Sequence, residues 1–433
     1  MGVDLLKDDE SKDMAIQRPP LKVAYEMPPD RKKTVRKASK ERITQRPEWD
    51  RASGRDHLRF QRKRVQPGQS RTIMFDLIDS STGETWPTPV HILHGARPGP
   101  KVIVTGAIHG DELTGTLAAT QLTQPSMIGE GKPLDPKRMA GTVFIVPVLN
   151  PPGYQRKSRY FPDGRDLNRE FPGHSKGATT RRVANRIFKT LISGSDVLID
   201  IHSAAAGRHN MPQVRANLAD SNILNVAKLF GTEVLMDSLS PKGSLRRTAS
   251  DSGVAAIVFE GGGANKLDRI AVKVAVNGVL NVLRGMNIIS GRPKRPRFRL
   301  LASGSRWIRA QAGGLLDLHI SSGALVDENE TIGMIADPNK PDQLHPITSP
   351  CRGIMVGTRT DPFVHAGSPI AHIIELERHF EFVLKSVGSN NLTTPDVDDE
   401  RLWVEETEVD EITIPGEWEG GSIDAEWQSE TEE

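Results

Sequence analysis

The chain of 433 residues contains one cysteine. Cys351 has no partner for an internal disulfide, and no thiolate cluster exists to hold a metal, so a bound metal must rely on histidine and carboxylate side chains. Long apolar runs are also missing. No stretch approaches the roughly 20 consecutive apolar residues that cross a bilayer, and the opening MGVDLLKDDESKD lacks a positive start followed by an apolar core. A cytoplasmic location without a membrane partner is therefore expected. Aromatics make up only 5% of the chain. The basic tract from Lys32 to Arg64 carries almost none for base stacking and mixes acids among its cations, which argues against a nucleic-acid partner. One-signed charge is absent overall, since the net charge is only +2, but the two ends differ in sign. Residues 1–65 are rich in Lys and Arg and are expected to form a disordered basic tail; residues 381–433 are strongly acidic, with scattered Trp403, Trp418 and Trp427, and are expected to be a solvated acidic tail.

Between the tails the texture changes. Short apolar runs, KVIVTGAIHG from Lys101, TVFIVPVLNPPG from Thr142, DVLIDIHS from Asp196 and VAAIVFEGGG from Val254, read as buried strands. TTRRVANRIFKTLISG, with Val183, Ile187 and Leu191 on one face, and DRIAVKVAVNGVLNVLRG read as amphipathic helices. Strands alternating with helices predict an α/β domain over 66–292, built on a mostly parallel mixed sheet flanked by helices, with ligand sites at the carboxyl ends of the strands. Beyond the joint RPKRPRFR, short hydrophobic pieces with frequent glycine predict an all-β unit over 293–380. Its repeated glycine and valine pattern around Gly323 and Gly367 resembles the barrel-sandwich fold of biotinyl and lipoyl carriers. Lys340, however, lies in a loop beside prolines rather than in a carrier's hairpin, so no such modification is expected.

The chemistry-bearing residues fall at those strand ends. His109 and Glu112 stand three apart just past a buried strand, where two side chains can converge as the chain turns. His202 at the end of another strand completes a two-histidine, one-glutamate set, which leaves a coordination position open on a zinc ion, as a hydrolytic metal requires. Asp200 faces the same way as His202 two residues on, so its carboxylate can orient a ligating imidazole. Glu260 ends a strand before three glycines, where a carboxylate can act as general base and then general acid. The polar loop from Asn150 to Gly173 carries Arg169, whose planar fork suits a carboxylate, Asn168 as an amide donor, and two further arginines, Arg159 and Arg165, either of which can stabilise an oxyanion.

These motifs in this order, H-x-x-E, then N-P with D-L-N-R-x-F-P-G, then D-x-H, then a strand-end E-x-G, resemble the succinylglutamate desuccinylase and aspartoacylase family, relatives of the zinc carboxypeptidases. The resemblance spans about Val102 to Arg284 and implies a carboxypeptidase-like fold with one zinc ion on His109, Glu112 and His202. It also implies Glu260 as the catalytic carboxylate, Asn168 and Arg169 as the substrate carboxylate clamp, and Arg159 as the oxyanion arginine, with Arg165 competing. The implied activity is removal of an acyl group from a small carboxylate-bearing N-acyl amino acid. The same residues serve a zinc carboxypeptidase acting on small peptides or conjugates, and a third reading is a non-catalytic carboxylate-binding or scaffold protein. A homo-oligomer stays compatible with the sequence.

Overall fold

The computed structural model describes residues 55–124, 134–340, 342–387 and 410–414. The first strands are β1 (Leu58–Phe60), β2 (Lys63–Val65), β3 (Gln69–Asp79), β4 (Thr85–His94), β5 (Arg97–Gly106) and β6 (Ala140–Val146). There follow β7 (Val197–Ala204), β8 (Arg208–Ala216), β9 (Val234–Asp237) and β10 (Ala255–Gly263). The helices among them are α1 (Leu113–Thr123), α2 (Pro151–Arg156), α3 (Thr179–Ile187), α4 (Ser221–Phe230), α5 (Leu245–Asp251) and α6 (Arg269–Gly285). The rest comprises β11 (Phe298–Ala302), β12 (Arg306–Arg309), β13 (Gly314–Leu318), β14 (Leu325–Val326), β15 (Thr331–Ala336), β16 (Leu344–Thr348), β17 (Gly353–Arg359), β18 (Phe363–Val364), β19 (Pro369–Glu375), α7 (Phe380–Val387) and β20 (Asp410–Ile414).

The four apolar runs read from the sequence are β5, β6, β7 and β10. They pair in parallel in the order β10-β7-β5-β6, with Val102, Ile103 and Val104 opposite Val197, Leu198 and Ile199. Their residues are buried on both faces because helices cover both. Val104, Ile199, Ile257 and Phe259 pack with α1, α4 and α6. The alternating partners Ile103, Leu198 and Ala256 pack with α3 and α5. The helix starts are set locally: the Asp268 carboxylate accepts from Ala271 N at α6, and the Asp220 carboxylate accepts from Asn222 and Ile223 at α4. No helix among the described residues is long and apolar enough to cross a membrane.

The mixed sheet does not stop at this core. Its longest path runs β12-β19-β17-β8-β10-β7-β5-β6-β4-β3, and β9, β11 and β20 extend from β8. Strands of the C-terminal β region thus continue the main sheet through the antiparallel pair β17 and β8, while β13, β15, β16 and β18 form a separate four-stranded sheet.

Several stretches differ from their expected character. The polar loop 150–173 contains the short helix α2 and a single 3₁₀ turn over Leu167–Arg169, each capped by its own side chain, Asn150 and Asp166. At the amino end of the expected basic tail, residues 1–54 lie outside the described residues, but Phe60 and Val65 are buried in the core. Within the expected acidic tail, Phe380–Val387 is helical, and Asp410–Ile414 adds a strand parallel to β11 with Ile412 and Ile414 buried. The apolar spacing of those two isoleucines supplies the anchoring that a purely solvated segment lacks. Residues 388–409 and 415–433, with the three tail tryptophans, lie outside the described residues.

Candidate metal and active site

His109 and Glu112 follow the carboxyl end of β5, and the loop that carries them packs tightly against α2. A Cβ on Gly110 would collide with the backbone of Gly153, so glycine is required for that approach. His202 lies near the end of β7, and its register partner on the neighbouring parallel strand β10 is Glu260. Adjacent strands are about 4.8 Å apart, so one face of the sheet presents both residues side by side. Just after Glu260 the register shifts at Gly262, whose φ of +80° a side chain would strain.

Three ligand atoms, one each from His109, Glu112 and His202, lie within 4.8 Å of one another, and all three residues are buried. The Nδ1 atoms of both imidazoles face the Glu112 carboxylate, at 2.6 Å from Oε1 for His109 and 2.9 Å from Oε2 for His202. His202 Nε2 is 2.9 Å from Asp200 Oδ2, and the other oxygen of Asp200 accepts from Thr105 Oγ1 at 2.6 Å. Asp200 therefore fixes the ring from behind and leaves Nδ1 toward the cluster, the arrangement expected of an oriented metal ligand. Burial opposes ionisation of Glu112, yet the facing His109 and His202 hold its carboxyl far below the usual range. Burial likewise opposes a charge on His202, but the Asp200 and Glu112 carboxylates raise it well above its ordinary value. Two imidazoles and a carboxylate form a donor set suited to zinc.

Arg159 reaches the same place. Its Nη1 is 3.4 Å from Glu112 Oε1, and its Nε and Nη2 donate to Asp166 Oδ2 at 3.2 and 2.9 Å. Burial raises the Asp166 carboxyl, but Arg159 and His109 together hold it well below the carboxylate range. Asp166 also accepts from Asn168 N at 2.8 Å, which ties the 3₁₀ turn to the arginine.

A cavity of about 60 Å³ opens over this cluster, and His109, Glu112, Arg159, Asn168, His202 and Glu260 all line it. Asn168 is held by accepting from Leu245 N at 2.8 Å. Arg169 is half-buried, donates to the Asn168 carbonyl at 2.8 Å and does not itself line the cavity. Arg165 points to solvent and pairs with Glu170 at 3.0 Å, so of the two candidate oxyanion arginines only Arg159 is brought to the cluster.

The cavity residues not singled out from the sequence include Arg208, Asn210 and Arg215 on β8, and Arg246 on α5. Asn210 Nδ2 donates to Glu260 Oε2 at 3.2 Å, and Arg246 donates to Ser238 and Ser240. A signal existed in RHNMPQVRA, a strand-length segment with polar residues at positions that the sheet buries. Alternation alone, however, reads as an ordinary surface strand.

Residues 98–286 match the model of the Succinylglutamate desuccinylase/Aspartoacylase catalytic domain, which shows the resemblance carried by the motifs over that span. The chain is 26% identical over 292 residues to the N-alpha-acetyl-L-2,4-diaminobutyric acid deacetylase of Halomonas elongata, covering 64% of this chain and 83% of that relative. The fold matches the crystal structure of a succinylglutamate desuccinylase/aspartoacylase from Rhodobacter sphaeroides at a TM-score of 0.62 and 24% identity, over 71% of this chain and 94% of that one. It also matches the product-bound structure of the ectoine utilization protein EutE (DoeB) from Ruegeria pomeroyi at a TM-score of 0.62 and 20% identity, over 70% and 94%.

Proposed function

We propose, taking the match of residues 98–286 to the succinylglutamate desuccinylase/aspartoacylase catalytic domain as the premise, that this chain is a zinc-dependent amidohydrolase that removes the acyl group from a small N-acyl amino acid. The observation that carries the reading is the juxtaposition of the buried His109, Glu112 and His202 cluster with Glu260, its neighbour in register. His109, Glu112 and His202 would hold a zinc ion, which when bound would supply Lewis acidity toward the scissile carbonyl.

The chain's own groups account for the remaining steps. Glu260, oriented by Asn210, removes a proton from the attacking water and later delivers it to the departing amine. Arg159, braced by Asp166, places a fixed positive charge where the carbonyl oxygen becomes an anion. Asn168 at the cavity wall and the adjoining Arg169 bind the substrate's α-carboxylate, an assignment supported by their shared turn and by Arg169's hold on the Asn168 carbonyl. The small cavity favours a compact substrate over a polypeptide. The closure of its mouth by the C-terminal β region, the barrel-sandwich character of that region and a cytoplasmic location belong to the same reading.

The test is metal analysis of the purified protein together with turnover on a panel of N-acyl amino acids and short peptides. Stoichiometric zinc with hydrolysis of acyl amino acids is the expected result. Release of C-terminal residues from peptides in preference would establish a carboxypeptidase instead, and binding of carboxylates without any turnover would establish a non-catalytic protein.

A further inference from the structure

The two ends of the described chain lead to the same edge of the sheet. β8 runs antiparallel to β10, and β9, β11 and β20 each run parallel to the strand they join, so β20 points opposite to the inner parallel strands. Past Ile414 the chain therefore heads for the edge at which those inner strands begin, away from the candidate metal ligands at their carboxyl ends. Arg55 is fixed at that edge. Its Nη1 donates to the carbonyls of Gly95, Arg97 and Gly141 at 2.7, 2.9 and 2.6 Å, beside the first residues of β5 and β6.

From Arg55 the chain enters the hairpin of β1 and β2, whose surface is cationic. Arg59, Arg62, Lys63 and Arg64 are exposed, as is Arg71 on β3, whose Nη1 donates to the Arg64 carbonyl at 3.2 Å. No carboxylate among the described residues pairs with any of the five. Arg59 stands directly opposite Arg64, and like charges so placed weaken a strand pair. The hairpin is held instead by Phe60, whose ring centroid lies 5.9 Å from that of Phe75 and 5.7 Å from that of Phe144. Cations that weaken their own strand pairing call for negative charge from outside it. With Phe60 buried, the hairpin offers no aromatic face to a nucleic-acid base.

The segment that follows β20 carries the opposite charge. Residues 415–433 include seven acidic side chains and no Lys or Arg, together with Trp418 and Trp427, whose ring faces suit guanidinium groups. Its 19 residues span about 60 Å when extended. The seven strand steps from β20 to β6 amount to about 35 Å, so the segment is long enough to reach the hairpin.

We propose that the cationic face of the hairpin, formed by Arg59, Arg62, Lys63 and Arg64, is the docking surface for the acidic segment 415–433 of the same chain. The attraction is charge pairing, with the two tryptophans against arginine side chains. It is independent of the hydrolase reading.

The test uses full-length chains and a fluorescein-labelled peptide of residues 415–433, followed by fluorescence anisotropy. In one variant the seven acidic residues of the segment are changed to their amides, which leaves the hairpin open. That variant should bind the peptide, and about tenfold more weakly once salt is raised from about 0.05 to about 0.3 M. The unmodified chain should bind it about tenfold more weakly than the amide variant does, because its own segment competes at a local concentration in the millimolar range. Adding Arg59→Gln, Arg62→Gln, Lys63→Gln and Arg64→Gln to the amide variant should abolish peptide binding. Equal affinity in the unmodified chain and the amide variant overturns the proposal, as does failure of the amide variant to bind or binding that survives the four hairpin substitutions. Sedimentation that shows the unmodified chain self-associating and the amide variant monomeric would seat the segment on a second copy, and likewise overturn docking on its own chain. Should the variant with four hairpin substitutions not fold, Arg62→Gln with Lys63→Gln decides, with weaker binding expected and unchanged affinity overturning the assignment.

Discussion

The inner parallel strands and the strands added outside β10 solve different problems with the same backbone. In β5, β7 and β10 the apolar residues serve both faces of the sheet, and chemistry is confined to the carboxyl ends, where His109, His202 and Glu260 emerge. In β8, polar residues run along the strand, and Arg208, Asn210 and Arg215 all reach the cavity from one element. The inner strands can hold a metal because helices shield them on both faces. β8 can hold arginines because one part of it borders the cavity, while its Val214 and Ala216 pack with α4. On the proposed function, the contrast divides the cavity into a catalytic wall at the ends of the inner strands and a recognition wall on β8.

The largest expected effect breaks the catalytic wall. His202→Ala should lose both zinc and activity, because two remaining ligands cannot keep the geometry of a three-ligand site. Elemental analysis that finds stoichiometric zinc in the purified variant would remove His202 from the cluster. Next, Glu260→Gln keeps shape and hydrogen bonding but cannot accept a proton, so kcat should fall by roughly 10² to 10⁴ with zinc retained. A kcat within tenfold of wild type would assign the proton transfers elsewhere.

Arg159→Ala should lower kcat by about 10² to 10³, the range for loss of one oxyanion donor. The surface Arg165→Ala should leave kcat within twofold, and steady-state kinetics of the pair decides between the two arginines. On the outer strands, Ile412→Ala should cost about 2 kcal/mol for a truncated buried isoleucine and lower Tm by several degrees. Turnover should be unaffected, since β20 lies beyond β9 and β11 from the cavity. An unchanged melting curve would show that β20 contributes nothing to the fold.

The smallest effect is on pH dependence. Burial pushes the Glu233 carboxyl up to about 7, with Arg297 opposing the shift. A carboxyl raised in the folded state is best tolerated while protonated, so its effect on stability is neutral at low pH and becomes unfavourable as pH rises from its ordinary range through about 7. Glu233→Gln should therefore raise Tm at pH 8 and leave it unchanged at pH 4. Equal shifts at both pH values would contradict that assignment.

Much of this was legible before any coordinates because the informative residues are local in sequence. The runs VIVT, VFIV and VLIDI declare strands buried on both faces, since only apolar residues tolerate helices on either side. The candidate metal ligands stand at the ends of those runs, so strand prediction alone put His109, Glu112, His202 and Glu260 at one edge of a parallel sheet. The cap of α6, Asp268, lies at the expected start for the same reason: capping depends on neighbours a few residues away.

Only the tertiary structure shows that Arg159 reaches the cluster and Arg165 does not, although the two lie six apart in one polar loop. It alone placed Arg208, Asn210, Arg215 and Arg246 around the cavity, because antiparallel pairing of β8 with β10 joins positions roughly 45 residues apart. It alone docked Ile412 and Ile414 against β11, a pairing made across more than a hundred residues. Local pattern determines which element a segment forms and which face it must bury. Long-range pairing determines which charges share a cavity, and no residue spacing along the chain encodes that register.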